Sequence, residues 1–121
     1  MDAKKVISTW FDLWKSGDFL KLPLSENFIH TSPYGTIKGK TRYLQLVEAN
    51  KNKFLNHKFE IHDILHEKDK VCVRYTAIQE NFRLEVSEWH YVKDGLIEKV
   101  IAYYNIPGEI REDRKINFLD K

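Results

Sequence analysis

The second half of the chain alternates between apolar and other residues with a period of two, over four successive segments. These segments span 58–67, 70–80, 82–92 and 96–105. A period of two predicts β-strands, because successive side chains of a strand point to opposite faces of the sheet. The connections are short, above all the Lys-Asp-Gly turn at 93–95, and predict antiparallel neighbours. We therefore expect four antiparallel strands to dominate this half.

The first half carries helical patterns and one short strand. Apolar residues at helical spacing predict a helix over 3–16, with Asp2 as its capping residue and Gly17 as its terminator. A second helix is expected over 42–54. Between them the segment FIHTSP predicts a strand, closed by the turn SPYGTIKG. This order of elements predicts an α+β fold with its helices gathered on one face of a sheet.

Length and composition indicate one domain over 1–121, with its core in 3–106 and a charged tail at 107–121. The net charge is +2 and the basic residues are scattered among acids, so no nucleic-acid partner is expected. The single Cys72 excludes an internal disulfide. No segment has the apolar length of a signal peptide or a membrane span, and we expect a cytoplasmic protein without a membrane partner.

Both faces of the predicted strands hold several apolar residues. Helices can cover one face, whereas the other face of a monomer would be largely polar. A second copy of the chain is the simplest cover for that other face, so we expect a homodimer. The residues assigned to this interface are Val71, Val73, Tyr75, Trp89, Tyr91, Ile101 and Tyr103.

Ionisable residues interrupt the apolar side of the third segment. Between 82 and 92, Leu84 and Val86 share one side of the predicted strand with Glu88 and His90. The alternation therefore places an acid and an imidazole on the inner face of the sheet. Such a pair can support acid–base chemistry in a pocket, and it can also be a structural ion pair.

Three stretches give the chain a resemblance to a known family. NFIHTSPYGTIKGKTRYL, VRYTA and YVKDGLIEKVIAYYN resemble the SnoaL-like branch of the nuclear transport factor 2-like superfamily, over residues 5–106. The resemblance implies a cone-shaped, strongly curved, mostly antiparallel sheet with N-terminal helices closing a pocket. The superfamily includes ketosteroid isomerases, limonene-epoxide hydrolase and polyketide cyclases, as well as members that only bind or dimerise. Fold alone therefore does not select an activity.

The resemblance also implies positions for functional residues. Trp10 falls where ketosteroid isomerases carry their oxyanion-hole Tyr, and Ser32 where they carry the general-base Asp. Glu88 falls at their protonated Asp. Arg74 fits the active-site Arg of the epoxide hydrolase, whose two carboxylates are replaced here. The replacing residues are Thr76 and Ala102, and Asn105 stands where many SnoaL-like sequences have Asp.

The resulting hypothesis is a cofactor-independent acid–base site for a small apolar carbonyl compound. His90 or His30 would remove a proton alpha to the carbonyl, Glu88 would orient or neutralise that imidazole, and Arg74 would stabilise the enolate oxygen. The expected ligand-binding wall consists of Trp10, Trp14, Ser32, Thr76, Val86, Ala102 and Tyr104. No metal is expected, because no paired Cys or carboxylates complete a site around His57, His62 and His66.

Each candidate residue also has a structural interpretation. Arg74 with Glu88 can be a buried ion pair, His90 a core histidine and Ser32 a turn residue before a proline. Trp10 and Trp14 have the spacing of helix core residues. Three function classes therefore stay open: an isomerase, cyclase or lyase, a module that sequesters a ligand, and a dimeric interaction domain.

Overall fold

The structure, a computed structural model, describes residues 2–105 and 112–114. It contains α-helices α1 (Ala3–Ser16), α2 (Lys40–Ala49) and α3 (Lys51–Phe54), and strands β1 (Leu24–Ser32), β2 (Gly35–Lys38), β3 (Lys58–His66), β4 (Lys70–Gln79), β5 (Phe82–Lys93) and β6 (Leu96–Tyr104). Single 3-10 turns lie at Phe19–Lys21 and Glu112–Arg114. Apart from that second turn, the charged tail predicted for 107–121 lies outside the described residues.

The six strands form one curved, open sheet in the order β2-β1-β6-β5-β4-β3. All neighbouring strands are antiparallel except β1 and β6, which run parallel. Helix α1 packs against β3, β4 and β5, and α2 packs against β1 and β2. The predicted α+β class, with helices covering a curved and mostly antiparallel sheet, is confirmed. None of the described helices is long and apolar enough to cross a membrane.

Helix α1 has the boundaries that its sequence predicts. The carboxylate of Asp2 accepts a hydrogen bond of 2.9 Å from the backbone N–H of Lys5, which caps the first turn. Gly17 ends the helix at φ 86°, in the left-handed region that only glycine adopts without strain. The helix buries one apolar stripe against the sheet. That stripe consists of Ala3, Val6, Ile7, Trp10, Phe11 and Trp14.

Three predicted elements differ in extent from the structure. The strand expected at FIHTSP begins earlier, at Leu24. The segment expected to be a turn contains strand β2, because a tight turn after Ser32 returns the chain to pair with β1, with Ser32 opposite Gly35 and Ile29 opposite Lys38. The single helix expected over 42–54 is two helices. They meet at Asn50, whose side-chain amide donates to the carbonyl of Leu46 at 2.8 Å and competes with helix continuation.

The two faces of β4 are the reverse of the prediction. Residues directly opposite one another in an antiparallel pair share a face of the sheet. Val73 lies opposite Glu88 and Tyr75 opposite Val86, so these side chains and Val71 face the interior. Val73 is 0% exposed. The assignment of Val71, Val73 and Tyr75 to an outer interface was therefore wrong, and they belong to the core.

Candidate functional site

Strand β5 places Glu88 and His90 side by side under α1. Their residues are 5% and 0% exposed, respectively, as the alternation along the strand predicts for its inner face. Nε2 of His90 lies 3.0 Å from Oε1 of Glu88. This is the distance of an ion pair, but the angles do not meet those of a hydrogen bond. The two groups therefore form a close buried pair whose hydrogen-bonding capacity is not used between them.

Tyr75 holds the other oxygen of the carboxylate. Its hydroxyl donates to Oε2 of Glu88 at 3.0 Å, from the neighbouring strand β4. The ring is fixed by edge-to-face contacts with Phe11 and Phe59, with centroids 5.2 and 5.8 Å away. Burial, and then the charge of Glu88, raise the pKa of Tyr75, so the hydroxyl stays protonated and acts as a donor. Tyr75 was not predicted as a site residue, because the alternation of β4 was interpreted as placing it on the outer face.

The carboxyl of Glu88 is ionised in this environment. Burial acts to raise its pKa, but the positive charge that His90 and His30 can carry and the Tyr75 hydrogen bond together outweigh burial. The pKa of Glu88 therefore lies below its ordinary value. A carboxylate beside an imidazole can orient the ring and stabilise its protonated form.

His30 is the second imidazole of the interior. In the row of paired residues across the sheet, Val100 of β6 lies between His30 of β1 and His90 of β5. The His30 ring stacks on Tyr43 of α2, with centroids 5.2 Å apart and planes 28° apart. Burial lowers the pKa of His30, although Glu88 partly opposes this shift, so the ring is neutral at neutral pH.

Aromatic rings from α1 cover the pair. The centroid of Trp10 lies 5.4 Å from that of His90, and that of Phe11 lies 6.4 Å from it. Several buried polar atoms of this pair and of α1 have no hydrogen-bond partner among the described residues. They are Oε1 of Glu88, Nδ1 and Nε2 of His90, and Nε1 of Trp14. Buried polar atoms are almost always satisfied, so this concentration of unused donors and acceptors marks a place that a polar ligand group or water could complete.

Arg74 lies on the outer face, away from this cluster. It is opposite Ser87, and its Nε donates to Oδ2 of Asp63 across 2.7 Å in an exposed salt bridge. The prediction that Arg74 faces Glu88 and stabilises an enolate was therefore wrong. The cause is the register of β4 and β5, which puts the even-numbered residues of β4 outside.

Thr76 is also placed differently from the prediction. It is buried, but on the outer side of β4, where its hydroxyl donates to Glu85 at 2.9 Å and lies 2.7 Å from Nε2 of His62. Thr76 therefore does not line the interior. His62 is engaged in this contact, and the described residues contain no group of three His, Cys, Asp or Glu side chains that could hold a metal ion.

The remaining predicted wall residues lie inside or at the open end of the sheet. Val86 and Ala102 are buried, and Ala102 lies directly opposite Glu88. Ser32 ends β1 and accepts a hydrogen bond of 3.2 Å from the backbone N–H of Tyr34, which is a turn contact. Tyr104 is half-buried beside an open groove of about 470 Å³. The groove is lined by Pro33, Arg74, Glu85, Val86, Ser87, Tyr103, Tyr104 and Asn105.

The chain matches the profile of a known protein family. The profile of the family described as SnoaL-like domain matches residues 7–100. No curated protein matches the chain.

Several solved structures share the fold. An NTF2-like protein of unknown function from Cytophaga hutchinsonii is 21% identical, with 84% of this chain and 88% of that chain covered and a TM-score of 0.72. A protein provisionally assigned as a ketosteroid isomerase from Kribbella flavida is 18% identical, with coverage of 94% and 87% and a TM-score of 0.72. An LEH-like epoxide hydrolase from M. tuberculosis is 18% identical, with coverage of 84% and 80% and a TM-score of 0.69. At these identities the similarity shows the fold alone.

Proposed function

Because the chain belongs to the SnoaL-like domain family, we propose that it binds a small apolar carbonyl compound between α1 and the sheet and moves a proton at the carbon next to the carbonyl. One observation carries this proposal. The ionised Glu88 and the imidazole of His90 lie 3.0 Å apart in an apolar interior, with polar atoms still unpartnered. The similarity to proteins described as an isomerase and an epoxide hydrolase supports an enzymatic role.

In the proposed reaction, His90 is the general base. An imidazole nitrogen takes the alpha proton, and the electron pair of the broken C–H bond moves through the new C=C bond onto the carbonyl oxygen. The charge of Glu88 stabilises the imidazolium that forms, while Tyr75 holds the Glu88 carboxylate in place. Return of the proton to another carbon gives isomerisation. Loss of a leaving group from the enolate, or its attack on a second carbonyl, gives lyase or cyclase chemistry.

His30, rather than Arg74, stabilises the enolate oxygen in this reaction. A neutral imidazole N–H can donate to the enolate oxygen without giving up its proton, and burial keeps His30 in that neutral form. The aromatic residues Trp10 and Phe11 keep water away from the reacting carbon. No cofactor is needed for any of these steps.

The direct test is exchange of the alpha protons of 1-tetralone in D2O, followed by proton NMR. The wild-type chain should accelerate exchange above the buffer rate, and His90→Gln should slow the catalysed rate by about 100-fold or more. Arg74→Ala is the matched control: it removes a charged side chain from the outer face and should leave the rate unchanged. Catalysis retained by His90→Gln would refute the role of this base.

A second candidate function is a binding or dimerisation module without catalysis. The observation that favours it is that His90 is fully buried and in contact with Trp10 and Phe11, as in a structural ion pair. Binding of 1-tetralone with no exchange above the buffer rate would favour this candidate over the enzyme. In both cases we propose a homodimer through the outer sheet face, where Trp89 and Tyr103 are 41% and 60% exposed.

A further inference from the structure

Trp14, near the C-terminal end of α1, carries a buried indole N–H group. The Trp14 residue is only 6% exposed, and its Nε1 has no hydrogen-bond partner among the described residues. Its neighbours are aromatic: the ring of Trp10 lies 5.7 Å away edge-to-face, and that of Phe54 is stacked at 6.3 Å. Phenylalanine would fill such a place without leaving a buried donor unsatisfied. The N–H is therefore a buried donor without an acceptor among the described residues.

Trp10 connects this donor to the Glu88–His90 pair. Its ring centroid is 5.7 Å from that of Trp14 and 5.4 Å from that of His90, so one indole contacts both residues. A ligand that extends along Trp10 would have one end at the imidazole and the other at Trp14. An indole N–H only donates, so the group that meets it must be an acceptor.

The segment above Trp14 is a short helix outside the sheet. Helix α3 has four residues, and Phe54, which covers Trp14, is 39% exposed. The side chain of Gln79 ties this segment to β4: its amide donates to the carbonyl of Asn52 at 3.0 Å and to that of Leu55 at 2.7 Å. Displacement of Phe54 would open a route to the Trp14 indole at the cost of few contacts.

We propose that the ligand carries a second hydrogen-bond acceptor, remote from its reacting carbonyl, which receives the indole N–H of Trp14 after Phe54 has moved aside. This inference rests on the proposed function, because it defines the ligand class of the same interior site. The ligand is an elongated apolar carbonyl compound, about the size of two fused rings, with an ether, carbonyl or hydroxyl oxygen at its far end. The Trp14 contact selects for that oxygen, because a ligand without it leaves the buried donor unpaired.

The test compares two ketones that differ in one acceptor, 1-tetralone and 6-methoxy-1-tetralone, by isothermal titration calorimetry. The wild-type chain should bind the methoxy compound about fivefold more tightly. Trp14→Phe should bind both with nearly equal affinity, because it keeps the aromatic ring and removes the donor. Glu88→Gln is the control: it should weaken both ketones and preserve the preference.

The outcomes separate this inference from the proposed function. Equal binding of the two ketones by the wild-type chain, or a preference that survives in Trp14→Phe, would overturn the inference alone. Failure of the wild-type chain to bind either ketone would overturn the proposed ligand class and the inference with it.

A second measurement uses the wild-type chain alone, so it does not depend on the folding of a variant. The chain has three indole N–H signals in a ¹⁵N-correlated spectrum. The signal of Trp14 should move downfield with the methoxy compound and not with 1-tetralone. An unmoved Trp14 signal at saturation would contradict the inference.

Discussion

The hydroxyl of Tyr75 on β4 donates to Oε2 of Glu88 on β5 across 3.0 Å, and so fixes the carboxylate from the neighbouring strand. Tyr75→Phe keeps the ring contacts and removes this hydrogen bond to an ionised group. The free energy of unfolding should fall by about 1.5–3 kcal/mol at neutral pH, measured by urea titration. The pKa of Glu88 should rise, because the hydrogen bond lowers it. The exposed Tyr103→Phe is the control, and an equal loss in both variants would contradict the assigned contact.

Stability should decrease as the solution is made acidic. The pKa of folded His30 lies below its ordinary value of 6.5, so between that pKa and pH 6.5 the unfolded chain binds more protons at this residue than the folded chain. Glu88 acts in the same direction below pH 4.5, because its folded pKa also lies below the ordinary value. Urea titrations at pH values from 7.5 to 5 should show that the free energy of unfolding falls with decreasing pH. The His30→Phe variant should show a smaller fall. An equal pH dependence of the free energy of unfolding in His30→Phe and the wild-type chain would exclude His30 as the cause.

The faces of β4 can be tested by two adjacent substitutions that each add a hydroxyl at nearly constant volume. Val73→Thr places the hydroxyl in the core and should lower the free energy of unfolding by about 1–3 kcal/mol. Cys72→Ser, on the half-exposed outer side near Ser87, should change the free energy of unfolding by less than about 0.5 kcal/mol. The reverse order of these two losses would show that β4 is turned the other way.

The inner face of β5 was predictable, and that of β4 was not. On β5 only one side of the strand begins with apolar residues, and these include Leu84 and Val86. This apolar start identifies the side that also carries Glu88. On β4 both sides are apolar, so alternation alone does not choose between them. The two strands are joined by the two-residue turn at 80–81, which puts Gln79 opposite Phe82 and therefore Tyr75 opposite Val86. Glu80 adopts φ 54° there without the Asn-Gly sequence that usually marks such a turn.

The proposed homodimer interface is the outer face of the sheet, without the β4 residues that lie in the core. Trp89, Tyr91, Ile101 and Tyr103 stay on this face, whereas Val71, Val73 and Tyr75 have left it. Sedimentation equilibrium should show a dimer for the wild-type chain and a monomer for Tyr103→Asp, because a buried unpaired carboxylate is unfavourable at an apolar interface. Leu20→Asp changes an exposed apolar residue elsewhere and should remain dimeric. A monomeric wild-type chain would refute the proposed interface.

Access of a ligand to the Glu88–His90 pair can be measured in the ¹⁵N spectrum of the five imidazoles during titration with 1-tetralone. The ring-nitrogen signals of His90 and His30 should change saturably, whereas those of His57 and His66 should stay unchanged. Binding of 1-tetralone that leaves the His90 and His30 signals unchanged would show that the pair is a closed part of the core and would refute the proposed ligand site.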